Sequence, residues 1–268
     1  RHSNNGKDDF RVGYVGKVFE IKPQSMLQYN GKIFAGAKSL KILDNYKNNN
    51  NIARFTDAID WGWFSFLTKP ISYAINWFYG YAGNFGLAIV AFTILMRLIL
   101  FPLAHTSFKS MAKMKKLAPR MQMLKERFGD DRKKFSEALM KVYKEEKVNP
   151  LGGCFPILIQ IPVFIALYWV IIESVEIRHA PFIGWINDLS SADPFFVLPV
   201  AMGISMYLQQ KLNPPPTDEM QKKIFAALPF IFTFLFATFP SGLVLYWVTN
   251  NILSIAQQYI INKRVAAL

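Results

Sequence analysis

The sequence predicts an α-helical polytopic membrane protein, in which a five-helix core carries a water-exposed helical hairpin and follows a short β-structured segment. Its 268 residues are 52% hydrophobic and 18% charged, against roughly 25% charged residues in a soluble protein. The missing charge is concentrated in four runs without Asp, Glu, Lys or Arg. Three runs exceed the ~20 residues that cross the hydrocarbon of a bilayer, and the other lies near the ~17-residue lower limit. The runs are residues 70–96, 148–172, 194–210 and 224–262.

Composition argues against several kinds of site. Cys154 is the only cysteine, so no intramolecular disulfide can form. His2, His105 and His179 are far apart, and there is no HExxH zinc motif, phosphate-binding loop or dinucleotide-binding glycine motif. We therefore expect no metal ion or other cofactor and no enzymatic activity. The net charge of +13 is distributed along the chain in the pattern expected of membrane topology and not of nucleic-acid binding. No recognition of nucleic acid is therefore predicted.

Residues 1–54 are interpreted as the C-terminal part of a β domain. Residues 11–18 alternate apolar and polar side chains, as a half-buried strand does. Asn30-Gly31 predicts a hairpin turn within residues 26–35, because both residues tolerate positive φ angles. Residues 48–51 are predicted to be a linker. A few strands cannot form a stable sheet alone and the chain starts without methionine, so we interpret it as a fragment or processed form.

Residues 55–81 are predicted to form an interfacial amphipathic helix. This stretch is rich in tryptophan, tyrosine and phenylalanine but also carries Asp57, Asp60 and Lys69. Tryptophan and tyrosine favour the headgroup level of a bilayer, where the ring and its polar edge are both satisfied. The helix is expected to end before Pro70, because the residue before a proline is biased away from helical angles.

Five membrane spans are predicted within residues 82–268. The last uncharged run is 39 residues long, nearly twice what a helix needs to cross the ~30 Å hydrocarbon, so it must turn back. Pro240-Ser241-Gly242 supplies that break. Residues 105–148 form the long insertion, whose apolar residues recur at helical spacing on both sides of a break at 129–131, which predicts a helical hairpin. The spans are residues 83–104, 151–172, 194–210, 224–239 and 243–261.

Basic residues predict the orientation of these spans, since loops rich in Lys and Arg remain in the cytoplasm. Residues 105–147 contain 13 Lys and Arg, whereas the loop before the third span contains Arg178 alone. The C-terminus is therefore predicted inside and the N-terminal segment outside. Ten further basic residues in the first 60 positions do not change this, because long folded segments translocate largely regardless of charge.

Arg97 is the residue most informative about function. It lies 11 residues from Gly86 at the outer end of the first span, and the spans offer no carboxylate at a similar depth. Burying such a cation costs from ~2.5 to over 10 kcal/mol, so it usually faces a wet cavity or a partner. The alternative is an arginine that snorkels to the inner interface. The polar residues at matching depths, which could instead make ordinary interhelical hydrogen bonds, are Thr93, Gln160, Tyr246, Trp247, Asn250 and Asn251.

Methionines in the hairpin allow two interpretations. Flexible thioethers suit a docking surface for unfolded segments, but more often such residues pack two helices together. The positions concerned are Met111, Met114, Met121, Met123 and Met140.

Three separated motifs resemble the YidC/Oxa family of membrane-protein insertases, in its Gram-negative YidC form. They are TILMR at 93–97 with FPL at 101–103, KVNPLGGCFP at 147–156 with QIP at 160–162, and FPSGLVLYW at 239–247. The resemblance extends from Asp57 through nearly the whole remaining chain. It implies that the N-terminal segment is the remnant of a periplasmic β-sandwich, and that the first membrane helix of the family and most of the sandwich are missing.

The resemblance also implies a function in the cell inner membrane. A groove open to the cytoplasm and to lipid, but closed outside, would bind nascent hydrophobic segments and release them into the bilayer, alone or with the Sec translocon and the ribosome. Arg97 matches the groove arginine of the family, and Thr93, Gln160 and Trp247 match groove positions. Phe164 and the phenylalanines of the fourth span would form a hydrophobic slide. Those phenylalanines are Phe232, Phe234 and Phe236.

Two other classes of protein are weighed against an insertase. A channel or secondary transporter would also place polar residues inside a bundle, but five spans offer no obvious inverted repeat. An intramembrane protease could use Ser241 as its nucleophile. However, Ser241 lies in a turn at the outer edge, and no histidine occurs in the last four spans to act as its base.

Overall fold

In the computed structural model the chain forms two compact units, residues 1–36 and 37–268. The described residues are all except 1, 5–6, 10–12, 14, 17, 29, 32, 129–130, 147, 149–154, 215–218 and 267–268.

The first unit contains one small antiparallel pair, β1 (His2–Asn4) and β2 (Lys7–Asp9), with His2 opposite Asp9. The strands predicted at 11–18 and 26–35 are wrong for the described residues there, none of which lies in a strand. Val18 and Ile33 are almost fully exposed. Alternation alone does not make a sheet, because a strand also needs neighbours that bury its apolar face.

The second unit begins with α1 (Leu40–Asn50), where a linker over residues 48–51 was expected. The linker prediction is wrong for Asn48–Asn50, which form the last turn of this helix. Leu40 and Leu43 are buried, and the amide of Leu40 donates to Glu176 Oε1 at 2.9 Å. Burial of the helix's apolar side chains therefore outweighs the low helix propensity of the three asparagines in its last turn. A short 3₁₀ helix follows at Phe55–Ala58.

The aromatic stretch forms α2 (Ser65–Ala82), which continues through Pro70. The prediction that the helix ends before Pro70 is wrong. A proline inside a helix removes one hydrogen bond, but α2 buries Ile71 and Ile75 in the main hydrophobic core, where they pack with residues of α3 and α7. This packing holds the helix together across the proline, while Trp77 on the same helix stays exposed.

The first predicted span is broken into two helices. Helix α3 (Phe85–Ile99) and helix α4 (Phe101–Lys116) meet at Leu100 with a bend of 68°. Pro102 lies at the start of α4, where its missing amide hydrogen costs little. By length and apolar character, none of the described helices would cross a membrane alone, whereas α3 and α4 reach that standard together.

The remaining helices match the order of the predicted elements. The hairpin continues from α4 with α5 (Ala118–Phe128) and α6 (Arg132–Glu145). The last uncharged run is divided as predicted, although the break lies at 237–240 because Ser241 begins the final helix. The helices after the hairpin are α7 (Phe155–Glu173), α8 (Val197–Leu212), α9 (Glu219–Phe236) and α10 (Ser241–Ala266).

Two hydrophobic cores organise this unit. The larger core joins α2, α3, α7, α8, α9 and α10. The smaller core joins the hairpin to Ile261 near the end of α10. Met111, Met114 and Met121 are buried in this smaller core, as the packing interpretation expects, while Met123 and Met140 are exposed.

Candidate functional site

A small cavity with several polar side chains in its lining lies where α3, α7 and α10 meet. Its volume of about 10 Å³ gives room for roughly one water molecule. Five of the six predicted groove residues line it, together with three apolar neighbours. The lining residues are Thr93, Met96, Arg97, Leu100, Gln160, Val163, Tyr246 and Asn250.

Helical spacing explains why these side chains converge. Thr93 and Arg97 lie four residues apart on α3 and therefore share one face, and Leu100 follows directly after the end of α3. Tyr246 and Asn250 are four apart on α10. Because α3 packs against α10, and α10 against α7, the polar faces of the three helices meet in one place.

Arg97 supplies the only cation among the residues that line this cavity. Its Nη2 donates to Ser254 Oγ, and that hydroxyl donates to the Asn250 carbonyl at 2.7 Å. The Arg97 Nε atom is buried and has no hydrogen-bond partner. Within the part of the chain that the structure describes, no carboxylate forms an ion pair with Arg97. The guanidinium extends along α10 toward Ser254, as a snorkelling side chain would, but it stays partly buried.

The other polar side chains at or near the cavity form hydrogen bonds with neighbouring helices or with their own helix. Gln160 Nε2 donates to the Tyr246 hydroxyl, which joins α7 to α10 as an ordinary interhelical hydrogen bond would. Thr93 Oγ1 donates to the Ile89 carbonyl at 2.7 Å, within its own helix. Asn251 points elsewhere and donates to Ser205 Oγ of α8 at 2.9 Å. Arg97 therefore has the largest unmet hydrogen-bonding and charge demand at the cavity.

Trp247 does not line the cavity and lies in an aromatic cluster with Phe164, Phe232 and Phe236. The Trp247 ring centroid is 5.0 Å from that of Phe164 and 5.4 Å from that of Phe236. Phe232 is 5.9 Å from Phe236. Phe234, predicted to belong to the same slide, faces outward and is 81% exposed. Three of the four slide residues are thus brought together with Trp247, and one is not.

The C-terminal half of α10 continues the polar face, and the sequence analysis did not identify it. Ser254 and Gln258 lie four residues apart, and both are buried. Gln258 Nε2 donates to Asn213 Oδ1 at 2.8 Å. The side-chain Oε1 atoms of Gln257 and Gln258 are buried and have no hydrogen-bond partner. The signal was present, because these residues follow Tyr246 and Asn250 at the i, i+4 spacing of one helix face.

The proposed protease nucleophile is not arranged for catalysis. The Ser241 side chain is buried, and its Oγ donates to the Asp188 backbone carbonyl at 2.9 Å. A nucleophilic serine must instead give its proton to a base. Among the described residues, no group of three or more His, Cys, Asp or Glu side chains could hold a metal ion.

The fold and the cavity define a class of protein: a bundle of apolar helices that partly buries an arginine for which the described residues supply no counter-ion. Ionisable residues among apolar helices usually mark the path of a substrate or ion. Comparison with known proteins identifies the particular family. A family model described as "60Kd inner membrane protein" matches residues 77–267, and one described as "YidC periplasmic domain" matches residues 1–74. The chain belongs to the YidC family of membrane protein insertases.

Curated relatives and one solved structure agree with this assignment. Proteins named "Membrane protein insertase YidC" are 50% identical over 260 residues in Cellvibrio japonicus, 48% over 260 in Aromatoleum aromaticum and 51% over 281 in Paracoccus denitrificans. These matches cover 97%, 97% and 96% of this chain but 46%, 46% and 44% of the relatives. The chain therefore spans about half the length of the relatives it matches. These relatives are named for insertion and not for a catalysed reaction.

The similar structure is entitled "Active YidC insertase crystal structure with the first transmembrane domain resolved". It is 31% identical with a TM-score of 0.63, and the match covers 81% of this chain and 50% of that one. The family resemblance predicted from the three motifs is confirmed.

Proposed function

We propose that the protein is a membrane-protein insertase and chaperone that binds nascent hydrophobic segments in a cytoplasm-open hydrophilic groove and releases them sideways into lipid. The cavity around Arg97 holds about one water molecule, so in this proposal α3, α7 and α10 move apart there to admit a segment. The observation that carries the proposal is Arg97, a partly buried cation without an ion-pair partner among the described residues. A site that keeps such a charge suits a ligand that brings acidic or strongly polar groups. The curated relatives named as insertases support the same function.

The proposed mechanism is thermodynamic and has no covalent step. The polar face of Arg97, Gln160 and Asn250 would shorten the hydrocarbon path that a substrate's polar tail must cross. The substrate's own apolar segment then partitions into lipid, a transfer favourable by a few tenths of a kcal/mol per Leu or Ile residue. The aromatic cluster around Trp247, together with the outward-facing Phe234, would guide that segment along α9.

The proposed location is the cell inner membrane, with several spans, the N-terminal domain in the periplasm and the C-terminus in the cytoplasm. The basic residues of the hairpin support this orientation. The exposed aromatic residues of α2, Trp77 and Tyr81, support an interfacial position for that helix. Residues 1–54 are proposed to end the periplasmic domain, in agreement with the family model that matches residues 1–74.

The proposed partners are nascent membrane proteins and membrane lipids, with the Sec translocon and the ribosome as further partners. Exposed Met123 and Met140 on the hairpin offer adaptable apolar contacts beside its many basic residues. No nucleic-acid readout is proposed, because the basic charge is accounted for by topology and by contact with lipid headgroups.

Reconstitution tests the proposed function against the channel alternative. Proteoliposomes that contain the purified protein should insert a single-span substrate with a short neutral tail, measured by protection of its tail from protease, at a higher yield than empty liposomes. The same vesicles should show no steady flux of a small solute. Flux without insertion would favour a channel or transporter and would contradict the proposal.

A further inference from the structure

The loop between α7 and α8, residues 174–196, is organised by the carboxylate of Asp188. Asp188 Oδ1 accepts hydrogen bonds from the amides of His179 and Ser190, at 3.0 and 2.8 Å, and from Ser190 Oγ at 2.6 Å. Asp188 Oδ2 accepts from Ser191 Oγ at 2.7 Å and contacts His179 Nδ1 at 3.0 Å. Burial raises the pKa of this carboxyl, but the hydrogen bonds outweigh burial and hold the pKa well below its usual range. Asp188 is therefore an ionised carboxylate whose hydrogen bonds to His179, Ser190 and Ser191 hold this part of the loop in place.

The segment that Asp188 fixes also caps the start of α10. The Ser241 amide donates to the Ser191 carbonyl at 2.7 Å, and the Gly242 amide donates to the Leu189 carbonyl at 2.9 Å. Ser241 Oγ donates to the carbonyl of Asp188 itself. The first amides of a helix have no partner within it, so here the loop supplies partners from a distant part of the chain. Gly242 permits this close approach, because a Cβ there would lie 3.1 Å from the Leu189 carbonyl oxygen.

The same loop closes over the start of α3. Asn84 Nδ2 donates to the Phe182 carbonyl at 3.0 Å. Gly86 lies against the Phe182 ring so closely that a Cβ at this position would be 2.0 Å from the ring. Helices α3 and α10 contribute most of the cavity residues, including Arg97 and Tyr246. One loop thus holds the outer ends of both helices that flank the cavity.

A second aspartate in the loop serves a different helix. Asp193 Oδ2 accepts from the Leu198 amide at 2.7 Å, and Oδ1 accepts from Trp185 Nε1 at 2.9 Å. Leu198 lies in the first turn of α8, which does not contribute to the cavity lining. Asp188 is thus a half-buried carboxylate and Asp193 a buried one in the same loop, and only Asp188 fixes the segment that caps α10.

We propose that Asp188 is a positioning residue that keeps the outer end of the cavity closed, by holding the 188–191 segment on the first turn of α10. The closed end would prevent ions from crossing through the cavity while its inner end admits polypeptide. The proposal depends on the proposed membrane orientation but not on any role of Arg97 in binding substrate.

Cysteine accessibility tests this proposal. Val244 is fully buried one turn below the loop, so Val244→Cys, in a Cys154→Ser background, reports opening of the outer end. A membrane-impermeant thiol reagent added to spheroplasts should label this cysteine slowly in the parent protein. Asp188→Ala removes five contacts to a charged group, so the labelling rate should rise by roughly tenfold or more. Proteoliposomes that carry Asp188→Ala should also lose an ion gradient faster than those with the parent protein.

Asp193→Ala is the matched control, because it removes a buried carboxylate from the same loop without touching α10. Asp57→Ala controls for loss of one exposed negative charge. Both should leave the labelling rate within about twofold of the parent. Equal labelling in Asp188→Ala and Asp193→Ala, with both proteins eluting as single species, would mean that Asp188 has only a general structural role and would overturn the proposal.

A milder substitution keeps the proposal testable if Asp188→Ala does not fold. Ser191→Ala removes one hydroxyl donor to Asp188 but keeps the Ser191 carbonyl that accepts from Ser241. We expect a rise in labelling of about threefold, and no rise would contradict the proposal. Insertion of a neutral-tailed substrate by the parent protein is measured in parallel, since its absence would count against the proposed function and not against the closed outer end.

Discussion

Replacing Arg97 with alanine should impair insertion of substrates that have acidic translocated tails far more than insertion of substrates that have neutral tails. The reason is electrostatic: two unit charges 4 Å apart interact by ~4 kcal/mol at an intermediate dielectric constant of about 20. Even a third of that energy corresponds to about a tenfold change in an equilibrium. We therefore expect about a tenfold loss for an acidic tail and about twofold for a neutral one, measured by protease protection in proteoliposomes.

Two further variants separate charge from structure at this position. Arg97→Lys keeps the charge, so it should recover most of the insertion of acidic tails while losing the hydrogen bond to Ser254. Arg178→Ala removes an exposed arginine from the loop between α7 and α8 and should change the insertion of neither substrate. If Arg97→Ala reduced both substrates equally, attraction of acidic tails by the cavity charge would be contradicted.

Replacing Phe236 with alanine should destabilise the bundle more than the same change at Phe234. Phe236 is 3% exposed and contacts the rings of Phe164, Phe232 and Trp247. Truncating a buried phenylalanine typically costs about 3–5 kcal/mol, because the lost burial is joined by a cavity. Phe234 is 81% exposed on the same helix, so Phe234→Ala should change stability by no more than about 0.5 kcal/mol.

Thermal unfolding in detergent, followed by tryptophan fluorescence, measures both variants. The expected order of melting temperature is wild type, then Phe234→Ala close to it, then Phe236→Ala well below. Similar melting temperatures for the two variants would show that the aromatic cluster does not stabilise the bundle. Insertion assays on the same proteins separate stability from guidance of substrate, since Phe234→Ala should slow insertion without loss of fold.

The helical part of the fold could be predicted because its signals are long and local. Uncharged runs of 17 to 39 residues leave few alternatives to apolar helices, and the helices lie in the predicted order. The strands failed because alternation over a few residues does not provide the neighbours that a strand requires. The prediction that the helix ends before Pro70 was wrong because packing with distant residues preserves a helix that the local sequence disfavours. Packing of Ile71 and Ile75 against α3 and α7 is a tertiary effect that no local rule contains.

The cavity could be predicted in part because charge in an apolar run stands out. Arg97 identified the site, and helical spacing brought Thr93, Gln160, Tyr246 and Asn250 to it. Trp247 was misplaced because adjacent positions on a helix differ by about 100°, which turns it toward the aromatic cluster. Ser254 continues the i, i+4 spacing of Tyr246 and Asn250, but spacing alone does not show that the Arg97 side chain reaches it. The role of Asp188 depends on contacts between segments about 50 residues apart, and spacing along one helix cannot reveal it.

Site-specific photocrosslinking from position 97 tests the central claim most directly. A photoreactive amino acid placed there should crosslink to the hydrophobic segment of a nascent membrane protein stalled during synthesis. The crosslink should disappear when the nascent chain is stalled at a greater length, at which the segment has moved past position 97. The same probe at Phe234 should report the segment at a later stage of release. Crosslinks from position 97 only to α4 and α10 of the protein itself, at every nascent-chain length, would contradict entry of polypeptide into the cavity.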